Sequence, residues 1–272
     1  MMRVVFFAVF AAALICGAAG ASEGDVVIPA ENVTIRVVYD NVEPAEGFEA
    51  DWGFSCVIEG CGRTILFDTG GRGDVLMRNL ERAGVDPAAV DIVVLSHRHG
   101  DHTGGLESFL DANGAVTVWV PASFTGGSKE AIAEACDSLV EVDGPAEIIP
   151  GVFTTGDMTG PVREQSLAIR TSKGIVVVTG CAHPGIDRIV ERAVGIAGGQ
   201  PLLVMGGFHL GDAGSKRLEE IAAVFEKYHV RCCGASHCTG DGSIAFFRER
   251  FGDRYIPLGA GAVVRGADLA GE

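Results

Sequence analysis

This 272-residue chain has no basic stripe: 21 lysines and arginines stand against 36 aspartates and glutamates, a formal net charge of −15. A nucleic-acid track needs clustered cations to neutralise phosphates, so this balance argues against such a partner and favours a small-molecule substrate. An acidic surface also keeps a protein soluble and names no partner by itself. Long apolar runs are equally scarce. The one unbroken stretch, Val4 to Cys16, falls short of the roughly 20 residues that span a bilayer, which speaks against stable membrane insertion. Internal repeats, low-complexity segments and linkers are absent too. The 39 glycines sit mostly at the ends of apolar runs and read as turns, which fits one α/β domain over residues 22–272.

The amino terminus has a secretory layout. Arg3 precedes the apolar stretch, and the small residues Gly17 to Ala21 follow it, predicting a signal peptide over residues 1–21 with cleavage after Ala21. The mature chain is then expected in the periplasm or outside the cell. A retained N-terminal anchor is the lesser reading, and a lipoprotein ranks third because Ile15 before Cys16 is too large for the usual lipid-attachment signal. Seven of the eight cysteines lie beyond Ala21, an odd number that cannot all pair. Export permits disulfides, and Cys56 with Cys61 is the candidate pair, across a short hairpin at Glu59-Gly60. The others sit in apolar contexts that suit buried free thiols.

The most informative segment is Leu95-Ser96-His97-Arg98-His99-Gly100-Asp101-His102-Thr103-Gly104-Gly105. It follows the apolar run Asp91 to Leu95, which reads as a buried strand, so the cluster lies on the loop leaving that strand's carboxyl end. On an extended loop His97 and His99 point the same way and can grip one ion. A turn into a helix near Thr103 throws Asp101 and His102 to the other side, toward a second ion. Imidazole and carboxylate together favour zinc, with manganese or iron as alternatives. Gly104-Gly105 lets the backbone crowd close to whatever is bound.

Further strands are expected at Val33 to Tyr39, Gly53 to Ile58, Thr64 to Phe67, Val116 to Val120, Leu167 to Arg170, Gly174 to Thr179, Pro201 to Met205, Val230 to Ala235 and Ala262 to Arg265. A hairpin-like region is expected over Val152 to Gly156. Helices are expected near Asp74 to Ala83, Gly105 to Ala112, Lys129 to Cys136, Ile186 to Ala197 and Ser215 to Tyr228. The two halves echo one another, which suits a four-layer αββα sandwich with the site along one edge. His183, His209 and His237 each follow one of these strands, whereas His229 ends a helix and reads as structural.

These residues resemble the metallo-β-lactamase-fold hydrolases. Phe67-Asp68-Thr69-Gly70 is similar to that family's first motif, His97-x-His99-x-Asp101-His102 to its second, His183 to its third and His237 to its last. The resemblance implies that His97, His99 and His183 hold one divalent ion and that Asp101, His102 and His237 hold the other. It makes Asp68 a carboxylate that orients a ligand from behind. Asp51-Trp52-Gly53-Phe54-Ser55, Glu164-Gln165-Ser166-Leu167, Gly206-Gly207-Phe208-His209-Leu210 and His237-Cys238-Thr239-Gly240 resemble the branch named for a dihydropterin ribofuranosylaminobenzene-phosphate synthase. Many superfamily members carry a metal-bridging Asp where this branch has Gly-Gly-Phe-His, so His209 is read as a ligand, a substrate contact or a supporting group. Trp52 stands where the branch usually carries His. Cys181 and Cys238, beside ligands, are read as neutral core thiols outside the metal shell.

The resemblance implies a hydrolase. Two divalent ions lower the pKa of bound water from about 15.7 toward about 7, giving a hydroxide for attack on a small ester, lactone, thioester or phosphoester. Asp101 is expected to shuttle the proton, and His209 or Glu164 to address the substrate or leaving group; Glu164 is also read, like Asp68, as a carboxylate that supports the ligands from behind. β-Lactams are not favoured. The alternatives are a transferase joining a dihydropterin to an aminobenzene ribotide with diphosphate release, and a catalytically silent metal-binding protein. The groove walls are expected from residues 111–150 and 153–164.

Overall fold

The computed structural model describes residues 26–42 and 45–270. The signal peptide read at residues 1–21 lies outside the described residues. Among the described residues no helix is long and apolar enough to cross a membrane.

Six strands in chain order begin one sheet: β1 (Thr34–Asp40), β2 (Phe54–Glu59), β3 (Ile65–Phe67), β4 (Ile92–Val94), β5 (Thr117–Pro121) and β6 (Ser138–Val142). The next six make the second: β7 (Ala146–Ile149), β8 (Val152–Thr154), β9 (Leu167–Thr171), β10 (Gly174–Thr179), β11 (Pro201–Gly207) and β12 (Cys232–Ser236). A last strand, β13 (Val263–Arg265), returns to pair with β1, giving the orders β13-β1-β2-β3-β4-β5-β6 and β12-β11-β10-β9-β8-β7. Among the described residues seven α-helices accompany them: α1 (Gly73–Arg82), α2 (Gly100–Thr103), α3 (Leu106–Ala112), α4 (Gly127–Ala135), α5 (Ile186–Ala197), α6 (Ser215–Lys227) and α7 (Asp241–Phe251).

Side-chain alternation sorts these elements into layers. Phe54, Cys56 and Ile58 of β2 meet Val176 and Val178 of β10 in the core between the sheets, whereas Val57 faces outward. Ile175 and Val177 of β10 turn the other way, against Ile189 and Val190 of α5 and Phe225 of α6. On the opposite face Val57 and Leu66 pack with Leu76 and Leu80 of α1 and Phe109 of α3. The expected αββα sandwich is therefore the fold.

Two strands and one helix differ from the sequence reading. β6 and β7 are mostly half-exposed edge strands without clean alternation. In α7 the buried set Ile244, Phe247 and Phe251 keeps helical spacing, but the adjacent Phe246 blurs the pattern. The bridge between Cys56 and Cys61 is not formed; both thiols are free and buried. β2 stays extended to Glu59, and three such residues already span roughly 10 Å, beyond the reach of a disulfide. Burial pushes the Cys61 thiol up to about 11.

What matters for function is strand direction. β3, β4 and β5 run parallel, and β1 points the same way because β2 is antiparallel to both β1 and β3. β10, β11 and β12 are likewise parallel. Their carboxyl ends carry Asn41, Asp68, His97, His183, His209 and His237, so distant segments meet at one edge. Gln165 fastens the sheets there: its backbone N–H donates to the Ser96 carbonyl, and its amide donates to the Leu95 carbonyl, at 2.9 Å each.

Gly105 sets how closely α3 approaches this edge. A Cβ at Gly105 would overlap the Thr69 carbonyl and press on Leu76. Gly105→Ala is expected to destabilise the protein by about 1–3 kcal/mol, read as a lowered urea midpoint at unchanged slope. An unchanged midpoint would show that α3 is not held by this contact.

Candidate metal centre

The site begins at Asp68, the residue after β3. It is fully buried and takes a left-handed backbone, φ 56°, a conformation that Asp tolerates better than most residues. Its Oδ1 accepts the Ser96 backbone N–H at 2.6 Å, and its Oδ2 accepts the Ser96 hydroxyl and the His102 Nδ1–H, each at 2.7 Å. The Ser96 oxygen in turn lies 2.8 Å from His97 Nδ1. With its proton committed to Asp68, that oxygen accepts from His97. One carboxylate thus orients both His97 and His102 through their Nδ1 atoms and turns both Nε2 atoms toward the site.

His237 is set in the same way from another direction. Its Nδ1–H donates to Asn41 Oδ1 at 2.6 Å, while Asn41 Nδ2 donates to the His237 carbonyl at 3.3 Å. The clamp leaves His237 Nε2 bare, 3.2 Å from His102 Nε2. Asp101 Oδ2 completes the triangle, 3.5 Å from His102 Nε2 and 3.3 Å from His237 Nε2. Bonds of about 2.0–2.1 Å at tetrahedral angles place donor atoms about 3.3 Å apart. The triangle therefore has the size of one face of a coordination tetrahedron.

The second cluster is His97, His99 and His183. His97 Nε2 is 3.1 Å from His99 Nδ1, and the His183 ring lies 4.8 Å from His97 and 4.9 Å from His99, centroid to centroid. His183 Nε2 is buried without a hydrogen-bond partner. A buried orphan acceptor is costly, and here it faces other imidazoles. As the sequence reading expects, the extended chain brings His97 and His99 together, while α2 carries Asp101 and His102 toward the other cluster.

The charges point to cations as well. Burial, reinforced by neighbouring histidines, drives His97 well below the ordinary imidazole range and takes His183 down to about 3. Both are neutral donors at physiological pH. Burial resists a charge on His102, yet Asp68 and Asp101 outweigh it and push that imidazole up to about 10. Burial would raise Asp101, but His102 and His237 hold its carboxyl well below the usual range. Two carboxylates thus draw positive charge toward a pocket of lone pairs, a donor set that fits divalent ions. The donor atoms of Asp101, His102 and His237 lie within 4.8 Å of one another and would hold one ion; His97 and His183, which are likewise within 4.8 Å, would hold the other, with His99 beside His97.

Other residues fall around these clusters. His209, φ 51°, is exposed at the rim with its ring 4.3 Å from that of His183. Trp52, 56% exposed, lies 4.9 Å from the His237 ring. Glu164 does not face the substrate, contrary to that part of the sequence reading. It is buried, and its carboxylate accepts the backbone N–H groups of Cys181, Ala182 and His183 at 2.8–2.9 Å and the Thr179 hydroxyl at 3.1 Å. It shapes the loop that carries His183. His229 occupies the left-handed position after α6, φ 55°, away from the site. Sequence reasoning missed Asn41, which carries no local signal. It also missed the placement of Cys181, whose sulfur lies 3.2 Å from His102 Nε2.

Asp68→Asn leaves the shape almost unchanged but puts an amide where one oxygen accepts two donors. Zinc affinity is expected to fall about 10–100-fold, measured by competition with a chelating dye. Wild-type affinity in a folded variant would remove Asp68 from this role.

Similarity to known proteins follows the same residues. The chain is 27% identical to the 7,8-dihydropterin-6-methyl-4-(β-D-ribofuranosyl)-aminobenzene-5'-phosphate synthase of Methanocaldococcus jannaschii, over 84% of this chain and 96% of that one. A crystal structure of a metal-dependent hydrolase of the beta-lactamase superfamily superposes with a TM-score of 0.74 at 27% identity, covering 85% of this chain and 98% of that one. The metallo-beta-lactamase fold protein YhfI from Bacillus subtilis shares the fold, with a TM-score of 0.62 at 14% identity over 85% of this chain and 98% of its own. Residues 53–224 match the metallo-beta-lactamase superfamily, a span running from the turn before β2 into α6 and taking in both the Asp68 loop and the histidine cluster, and the chain belongs to that superfamily.

Proposed function

We propose that the chain is a metal-dependent group-transfer enzyme that joins a dihydropterin, activated as its diphosphate, to an aminobenzene ribotide. The observation that carries this reading is the similarity to the M. jannaschii synthase over 96% of that protein's length. Trp52 supports it independently: an exposed indole beside His237 offers a flat face to a planar heterocycle, a contact worth about 0.5–1.5 kcal/mol.

Two bound divalent ions would supply Lewis-acid charge, stabilising an anionic leaving group or lowering the pKa of water. The protein supplies the rest. His97, His102 and His237 are each oriented through Nδ1 before substrate arrives, so less reorganisation is left for the reaction. The Asp101 side chain is one-fifth exposed, and its carboxylate would orient the incoming nucleophile beside the ion. His209, exposed beside His183, would donate to the departing diphosphate oxygen. The anionic substrate must approach a chain of net charge −15, so attraction has to come from the centre itself.

A second reading keeps the same centre for hydrolysis of a small ester, lactone, thioester or phosphoester. It is favoured by the 27% identical crystal structure described as a metal-dependent hydrolase. The leader read at residues 1–21 favours it too, because export would separate the enzyme from cytoplasmic pterin precursors.

Replacing His97 and His99 together by Ala is expected to remove most bound metal and all but a few per cent of activity. Retention of both would sink the two-ion proposal. To separate the readings, metal-loaded protein is incubated with a dihydropterin diphosphate and the aminobenzene ribotide, in parallel with a panel of esters, lactones, thioesters and phosphodiesters. A coupled product detected by mass spectrometry is expected. Turnover of the panel without coupling would replace the transferase with the hydrolase.

A further inference from the structure

We propose that Cys181 supplies a thiolate ligand shared by the two ion positions, so that the centre binds metal through sulfur as well as nitrogen and oxygen. The inference rests on the two-ion reading and adds a ligand to it. Three observations carry it.

First, the sulfur sits between the clusters. Its Sγ lies within 4.8 Å of the donor atoms of Asp101, His102 and His237 on one side and of His97 and His183 on the other; a third group joins it to His209 and Cys238, and Cys181 is common to all three among the described residues. The contact to His102 Nε2 is 3.2 Å, somewhat inside the edge of about 3.6 Å expected between nitrogen and sulfur on a tetrahedral zinc. A sulfur there is within reach of an ion held by Asp101, His102 and His237.

Second, this is not the setting of a core thiol. Cys56, Cys61 and Cys232 pack in the core between the sheets, Cys233 in the core outside the second sheet and Cys136 in that outside the first. Cys181 is just as buried, 2% exposed, but its neighbours are imidazoles, a carboxylate and a second thiol. Burial beside potential ligands is where a cysteine's metal chemistry outweighs its packing.

Third, the backbone is built to hold it there. The Cys181 N–H is fixed to Glu164 at 2.9 Å. β11 runs between β10 and β12, and at its end Gly207 has no side chain; a Cβ there would come within 2.8 Å of Cys238 Sγ. The loops from the flanking strands close over this gap, bringing Cys238 Sγ 3.2 Å from Cys181 Sγ.

On binding, the Cys181 S–H bond breaks, its proton leaves to solvent and a sulfur–metal bond forms, with no change in oxidation state. A thiolate shifts preference toward zinc, cobalt or iron and away from manganese or magnesium.

The test is zinc K-edge X-ray absorption on the full chain, stripped of metal and reloaded. A sulfur shell at about 2.3 Å beside nitrogen and oxygen at about 2.0–2.1 Å is expected, and it should persist in Cys238→Ser. The cobalt-loaded wild type should show a near-ultraviolet sulfur-to-cobalt charge-transfer band. Cys181→Ser should lose that band and at least about tenfold in zinc affinity, with manganese affinity changing much less. Two bound zinc ions with a shell of nitrogen and oxygen alone would overturn the assignment and leave the two-ion reading standing, whereas failure to retain zinc would overturn both. Loss of the sulfur shell in Cys238→Ser would overturn it as well. If Cys181→Ser does not fold, the wild-type and Cys238→Ser spectra still decide the question.

Discussion

The Asp68 carboxylate, buried at the end of β3, is the contact on which the rest of the site depends. It reaches His102 directly and His97 through Ser96, and so sets one ligand in each cluster from a single point. Hydrogen bonds to a buried charge are shorter and stronger than neutral ones, and breaking one partner of such a set typically costs about 3–5 kcal/mol. The left-handed backbone at Asp68 stores part of that energy as strain. Ala182, His209 and His237, which carry or flank the clusters, share this conformation. Such strain persists only where the surroundings over-determine it.

What over-determines it is sheet direction. The parallel strands of each sheet end at the same edge, and the loops leaving those ends have no regular ladder of their own to satisfy. Their backbone groups are met instead by side chains held in place: Glu164 takes three consecutive N–H groups of the His183 loop, and Gln165 ties the second sheet to the end of β4. The antiparallel strands make no direct contribution to the donor set except through Asn41, just beyond β1. Their work is the apolar core that keeps the two parallel edges in register.

The donor set fixes the class of chemistry more tightly than it fixes the reaction. Two proteins, each 27% identical to this chain, are described as a synthase and as a metal-dependent hydrolase. A pair of cations serves either, because both reactions develop negative charge on oxygen and both need it neutralised in a dry site. At the rim of the site Trp52 and His209 stand exposed.

Much was legible in the chain itself. Dense histidines after a β-branched run, with Asp-Thr-Gly closing an earlier strand, mark ligands because their spacing is local and the strand period fixes which side chains share a face. Most strands and helices were readable for the same reason; β6, β7 and α7 were not, since half-exposed edges and adjacent aromatics blur the period. Only the tertiary structure could show that His183 and His237 reach the cluster, that Asn41 sets a tautomer, that Glu164 turns inward, or that Cys181 lies between the two triads instead of in a core. Those facts depend on which strands become neighbours and in which direction they run. Sequence determines local chemistry through spacing, whereas contact between segments more than a hundred residues apart is decided by how the layers pack.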